Sequence, residues 1–154
     1  MALTLTQNFA SNLDLNQLKT VIQNDSFQKQ RLKDLKVVSY ELSNQYPIII
    51  MKKILELELA ANVSAMISNP FEITETWNLE DSSKIILLVN IPKVQSKIEV
   101  EITENNQNIF EVKSIISSTV FMMGSFVEEH VAKFWKKLVE KDLKLLLEWP
   151  INQI

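Results

Sequence analysis

The segment from Gly124 to Pro150 constrains this chain more than any other. At about 100° per residue, Val127, Val131, Phe134, Trp135, Leu138, Leu145, Leu146 and Trp149 fall on one broad stripe. Glu129, Lys133, Lys136, Lys137, Glu140, Lys141, Lys144 and Glu148 cover the other face. Ser125 followed by Glu128 is a capping-box pattern, which satisfies free N–H groups at a helix start. Gly124 lets the chain turn just before it, and Pro150 cannot continue a helix. Roughly 24 helical residues make a rod of about 36 Å, close to the span of a strand of about 10 residues. The apolar stripe is wider than the a/d seam of a coiled coil, so the helix needs a sheet-sized apolar surface to lie on.

The preceding chain reads as that surface. Leu3, Leu5 and Phe9 alternate with Thr4, Thr6 and Asn8, the pattern of a half-buried strand. Asp14 with Gln17 opens a short helix carrying Leu15, Leu18 and Ile22, and Asp25 or Ser26 opens a second short helix running to about Leu32. A strand begins near Leu35, with Val38, Tyr40 and Leu42 on one face, and turns at Asn44-Gln45-Tyr46-Pro47. Ile48 to Leu59 favours a strand by its alternation, with Lys53 on the apolar face, although Leu, Glu and Lys would also suit a helix. Ala60 to Asn69 is mildly helical.

Four more strands are predicted at Phe71–Leu79, Lys84–Ile91, Lys97–Glu104 and from Asn108 to about Met122. Asp81-Ser82-Ser83, Pro92-Lys93 and Asn105-Asn106-Gln107 read as the turns between them. Consecutive hairpins imply an antiparallel sheet, so the class is α+β.

Composition removes several function classes. The formal charge of −3, without a basic face, argues against nucleic-acid binding. The absence of cysteine excludes disulfides and thiolate metal sites and fits a reducing cytoplasm. One glycine cannot build a phosphate-cradling loop. The start of the chain has no signal-peptide pattern, and no apolar run reaches the roughly 20 residues of a membrane span. His130, the sole histidine, falls on the charged face of the last helix, which argues against a Ser–His–acid triad, and the ligands for a zinc site are too few. The carboxylates are scattered, without an EF-hand loop.

The element order, one strand, two short helices, a run of strands and one long helix, resembles the START-like (SRPBCC, helix-grip) superfamily along essentially the whole chain. That superfamily includes birch-pollen-type allergens, polyketide cyclases and lipid-transfer domains. The triplet Glu75-Thr76-Trp77 and the run Gly124-Ser125-Phe126-Val127-Glu128 resemble an uncharacterised branch of it. Ser125 stands where that branch commonly has a second glycine, and Phe121 stands near a commonly found proline. The resemblance implies one START-like domain over residues 1–154, with a curved antiparallel sheet of about six or seven strands wrapped round the C-terminal helix.

It also implies a cavity between sheet and helix. Strand phase then directs Met51, Leu55, Ile73, Trp77, Ile98, Val100, Ile102, Phe110, Val112 and Ile116 inward, to meet Phe134, Trp135, Leu138 and Leu145 of the helix. The same pattern suits a filled core.

Three ionisable residues break the apolar faces: Asp142 on the helix stripe, Glu75 in phase with Ile73 and Trp77, and Lys53 in phase with Met51 and Leu55. A buried charge needs a partner or serves a site. Glu75 either pairs with Lys53, turns outward at a bulge, or faces the cavity. Asp142 either reaches solvent, bonds the backbone, or faces the cavity. Glu128 is assigned to the capping box. The leading expectation is a cytoplasmic protein that binds or carries a small hydrophobic molecule of lipid-like or polyketide-like character. It is expected to use no cofactor or metal, to bind no nucleic acid, to have no membrane span, and to be a monomer or weak homodimer. A cyclase or dehydratase using a cavity carboxyl is the second reading, and an interaction module with a filled core the third.

Overall fold

The computed structural model describes residues 2–59, 61–64, 68–106, 108–120 and 122–150. The elements are β1 (Ala2–Ala10), α1 (Leu15–Ile22), α2 (Asp25–Gln30), β2 (Lys36–Gln45), β3 (Ile48–Glu56), α3 (Ala61–Ser64), β4 (Phe71–Asn78), β5 (Lys84–Ile91), a 3-10 turn (Pro92–Val94), β6 (Ser96–Asn106), β7 (Ile109–Ser118) and α4 (Gly124–Leu147). The strands form one antiparallel seven-stranded sheet in the order β1-β7-β6-β5-β4-β3-β2. Thus β1 pairs with the last strand, and the two short helices carry the chain across to β2 at the opposite edge. This is the expected α+β architecture of a sheet gripping a long C-terminal helix.

Alternation sets the inner face. In β6, Ile98, Val100 and Ile102 are buried while Lys97, Glu99 and Glu101 are exposed. The buried residues stand opposite Ile116, Ser114 and Val112 of β7. A slip of one residue would turn every one of these side chains to the wrong face, so burial fixes the register. The helix packs mainly along β1 and β7, with α1 beside it. Trp135 Nε1 donates to Ser114 Oγ of β7 at 2.9 Å, and Ser11 Oγ, just after β1, donates to the Leu147 carbonyl at the far end of α4. Because the helix leans to that side of the sheet, the opposite side, under β3 to β5, must be filled by other side chains or remain open.

Helices α1 and α2 close one end of the groove. Asp14 and Gln17 form the expected capping box at α1, and Leu15, Leu18, Val21 and Ile22 are buried. The cap of α2 is Asn24, not Asp25 or Ser26; its side chain accepts from the Phe27 amide at 3.1 Å. Phe27 is buried with its ring edge-on to Trp149.

Three local expectations are corrected. A bulge between Val37 and Ser39 takes Val38 out of the β2–β3 pairing, so Val37 joins the inner face with Leu42 while Val38 is exposed. The long helix ends at Leu147 rather than Trp149. It also begins without a capping box: Met123 is the cap residue and no side chain caps it. Ser125 is exposed, and Glu128 is buried, accepting at 3.0 Å from the amide of Ser118 at the end of β7. The helix starts where Gly124 meets the Ser118 carbonyl, and a Cβ on that residue would lie 3.1 Å from the oxygen. With the helix start pressed against the strand end, the Glu128 carboxyl answers a strand amide instead of its own helix. Phe121, Gln107 and part of the Ala60–Asn69 stretch fall outside the described residues.

Glu128→Ala is expected to lose about 1–3 kcal/mol in urea unfolding, because it strips the acceptor from a partly buried N–H. Glu128→Gln keeps an acceptor oxygen and should lose less than half as much. Equal losses for the two variants would contradict the strand-end role.

Candidate functional site

The three misplaced charges meet in the interior, and a fourth residue joins them. Arg31, at the C-terminal end of α2, is 2% exposed and reaches inward between β4 and α4. Its Nη2 lies 2.8 Å from both carboxylate oxygens of Glu75, donating to Oε1, and 2.8 Å from Asp142 Oδ2. Nε donates to the same Asp142 oxygen at 3.1 Å, and Nη1 donates to Gln28 Oε1 at 2.9 Å. Lys53 Nζ donates to Glu75 Oε1 at 2.9 Å. The register explains the last contact: Glu75 is opposite Met51 and Lys53 is opposite Ile73, so the two charges are diagonal neighbours on the inner face. The guanidinium also stands 5.3 Å from the Trp77 ring centre, a cation–π contact.

Two basic and two acidic side chains thus pair off, so that neither Lys53 nor Glu75, 1% and 0% exposed, is left without a partner in the core. Burial alone would push the Glu75 carboxyl up. The charges and hydrogen bonds of Arg31 and Lys53 outweigh it and hold the group down at about 2, against 4.5 for an ordinary glutamate. Burial likewise works against the Arg31 charge, but Asp142 and Glu75 raise the guanidinium above its usual range. Glu75 is therefore a structural anion, held by Arg31 and Lys53 in the acceptor-only form, and Asp142 shares the same guanidinium.

The open part of the interior lies at the other end of the helix. A cavity of about 80 Å³ is walled by Leu57, Leu59, Phe71, Ile73, Ile91 and Val94 from the sheet side, and by Phe126, Val127, His130, Val131 and Phe134 from α4. Its surface is almost wholly apolar. The rim is fastened by polar contacts: the Asn69 side chain bonds both the amide and the carbonyl of Leu57, and Lys93 Nζ donates to the carbonyls of Ser68 and Pro70. A second void, about 20 Å³, adjoins the charge cluster and is bordered by Arg31, Trp77, Trp135 and Asp142 among others. It is of single-water size, and Trp77 Nε1 and Asp142 Oδ1 have no hydrogen-bond partner among the described residues.

The residues expected to line a cavity divide between these places. Ile73 and Phe134 border the apolar cavity. Trp77, Val100, Val112, Trp135 and Asp142 border the small void. Met51, Leu55, Phe110 and Leu138 are buried and border neither, and Glu75 is enclosed by its cations. His130 is not on the charged face but on its margin, partly buried at the cavity wall. Arg31 escaped the sequence reading because α2 is short and its apolar spacing ragged. The available signal was that this is the sole arginine among sixteen basic residues. Phe71 was detectable, being in phase with Ile73, and Phe126 and His130 flank Phe134 on the helix surface.

Comparison with solved structures places the fold. Ara h 8.0201 superposes with a TM-score of 0.59 at 8% identity, over 96% of this chain and 99% of that one. The di-domain ARO/CYC StfQ from the steffimycin biosynthetic pathway gives 0.63 at 8% identity, over 99% of this chain and 52% of that one. This chain therefore spans about half of that two-domain protein. The Zhui aromatase/cyclase from Streptomyces sp. R1128 gives 0.55 at 7% identity, over 99% and 93% of the two chains. No protein-family model and no curated protein matches the sequence. The chain has the helix-grip fold. No helix among the described residues is long and apolar enough to cross a membrane, and these residues contain no cluster of His, Cys, Asp or Glu fit to hold a metal.

The depressed Glu75 carboxyl makes stability depend on pH in a defined direction. The folded state holds this proton more weakly than the unfolded chain, so the contribution is complete above pH 4.5 and lost as pH falls toward about 2. Urea unfolding of the wild type should weaken across that window. Glu75→Gln should lose about 3–5 kcal/mol already near neutral pH, since Arg31 and Lys53 then share a single anion, and should show a shallower acid slope. An unchanged slope in the variant would contradict the ionised cluster.

Proposed function

We propose that this chain, as one START-like domain acting in the cytoplasm, binds or carries a small hydrophobic molecule in the cavity between the sheet and the N-terminal half of α4. The observation that carries the reading is the cavity itself, a semi-open space of about 80 Å³ with aliphatic and aromatic walls, against about 20 Å³ for the void beside the charge cluster. Native interiors contain few voids larger than a water, and a dry apolar one invites an apolar occupant. Its volume is well below the roughly 300–1,000 Å³ of pockets that enclose whole drug-sized ligands. As it stands it accepts the end of an alkyl or acyl chain, or a small ring, with Phe126 and Phe134 as the side chains that would move for more. The likeness of the fold to Ara h 8.0201 and to aromatase/cyclases supports a sheet-and-helix cavity as the place to look.

Carriage is favoured over acid–base chemistry by the state of the carboxyls. A general acid in an apolar pocket must hold a proton near neutral pH, and Glu75 is pushed the other way by Arg31 and Lys53. Neither Glu75 nor Asp142 borders the apolar cavity.

Titration with 1-octanol, followed through methyl resonances, is the test. Saturable shifts are expected at Leu57, Leu59, Ile73 and Val131. Val131→Trp, which fills the space, should weaken binding at least about tenfold, or about 1.4 kcal/mol, while leaving thermal stability equal or higher. Octanol that perturbs no cavity methyl in a saturable way would refute the assignment.

A further inference from the structure

A strand with one wet face alternates strictly, and β6 does so, with Lys97, Glu99 and Glu101 exposed on its outer side. Strands β3 and β5 do not. Ile48-Ile49-Ile50-Met51 and Ile85-Ile86-Leu87-Leu88-Val89 carry aliphatic side chains on both faces. Ile49, Met51, Ile85, Leu87 and Val89 are buried in the core. On the outer face Ile48, Ile86 and Leu88 are only half-buried, and Ile50 is 38% exposed. Aliphatic residues on both sides are the pattern of a strand that is covered on both sides.

The register gathers these side chains into one patch. Across the outer face, one row runs Ser43, Ile50, Thr76, Leu88, Glu99 from β2 to β6. The row on one side of it runs Gln45, Ile48, Asn78, Ile86, Glu101, and the row on the other runs Glu41, Lys52, Thr74, Asn90, Lys97. Two aliphatic side chains thus stand on each side of β4, and the charges lie on the rim. The rim carboxylates are held only by exposed pairs, Lys97 with Glu99 at 2.9 Å and Lys84 with Glu101 at 3.1 Å.

We propose that the outer face of β3–β5 is the contact between two copies of this chain, packed face to face about a two-fold axis that runs along β4. Rotation about that axis exchanges β3 with β5 and β2 with β6. Ile50 then meets the partner's Leu88, Ile48 meets the partner's Ile86, and Thr76 meets its own copy. At the rim, Glu41 faces the partner's Lys97. The Glu99 and Glu101 carboxylates face the partner's Ser43 hydroxyl and the partner's Gln45 amide, both of which can donate. No two like charges stand opposite each other. The alternative axis, crossing the strands at Thr76, would set Glu99 against its own copy and Lys52 against the partner's Ile48, so the rim selects the first. Twisted sheets pack aligned to within about 30°, which keeps strand over strand across a patch this narrow. Three rows about 6.8 Å apart on five strands about 4.8 Å apart cover roughly 500 Å² per copy. The total of roughly 1,000 Å² lies at the low end for a specific interface, so the dimer is weak and reversible.

Sedimentation equilibrium of the whole chain up to about 1 mM tests this, with a dimer dissociation constant on the order of 100 µM expected. Ile50→Lys and Leu88→Glu each set a charge against an aliphatic partner and should weaken the dimer at least about tenfold. An equimolar mixture of those two variants should associate more tightly than either alone, because the mixed dimer keeps one Ile50–Leu88 contact and pairs the new ammonium with the new carboxylate. Glu41→Lys and Lys97→Glu change exposed rim residues and cover the case in which the patch variants pack badly. Each should weaken the dimer about threefold, and the double variant should recover it. A wild type that stays monomeric throughout, as it would if the patch served a different protein, overturns the proposal. So does a dimer that none of these substitutions weakens. Weakening without recovery in either the mixture or the double variant overturns the two-fold arrangement.

Discussion

The structure depends on the guanidinium of Arg31. It is placed by α2, anchored to Glu75 of β4 and Asp142 of α4, and linked through Glu75 to Lys53 of β3. Four elements that are distant in sequence meet on one planar group whose donors match two carboxylates and an amide. Desolvating four charges costs several kcal/mol per ion, and their mutual pairing largely offsets it, so the cluster adds little net stability over an apolar core. Its effect is on geometry. Once Glu75 and Lys53 are buried, any arrangement that withdraws Arg31 leaves an uncompensated charge, so the position of α2 against β4 and α4 is fixed to one solution.

That fixed end explains the distribution of space along the helix. Near Asp142 the groove is closed by α1, α2 and the charge cluster, and only a water-sized void remains. Toward Phe126 the short helices no longer reach, α4 leans toward β1 and β7, and the strands opposite present Leu57, Phe71 and Ile73 across a gap. The four-charge cluster thus sits at one end of the interior and the larger apolar space toward the other.

Most of the fold was legible in the sequence because strands with one wet face alternate strictly. Lys84–Ile91 was bounded to the residue, and β6 and β7 to within a few residues of their ends, because Ile98 to Ile102 and Phe110 to Ile116 each offer one apolar face. Periodicity failed where tertiary contacts overrode it. The bulge at Val38 reversed the face of one residue, and Glu128, which matched a capping box, was taken by the amide of Ser118. The ionisable residues on apolar faces were visible as anomalies, and pairing of Lys53 with Glu75 was among their readings. The cation that completes the cluster was not visible, because Arg31 sits at a helix end where no apolar period marks it as inward. The sequence left an open cavity and a filled core as alternatives, and it did not indicate where along α4 a gap would fall. Strand phase tells which side chains face inward, whereas the gap arises from the lean of α4, which no local pattern encodes.

The central claim is this division of the interior into a polar, charge-filled end and an apolar, open one. A crystal pressurised with xenon tests it directly, since xenon occupies apolar cavities by dispersion alone and gains nothing from charge. The account predicts a xenon atom among Ile73, Val131 and Phe134 and none in the void beside Arg31 and Asp142. Xenon bound next to Arg31, or none at the Ile73–Val131 site, would contradict it.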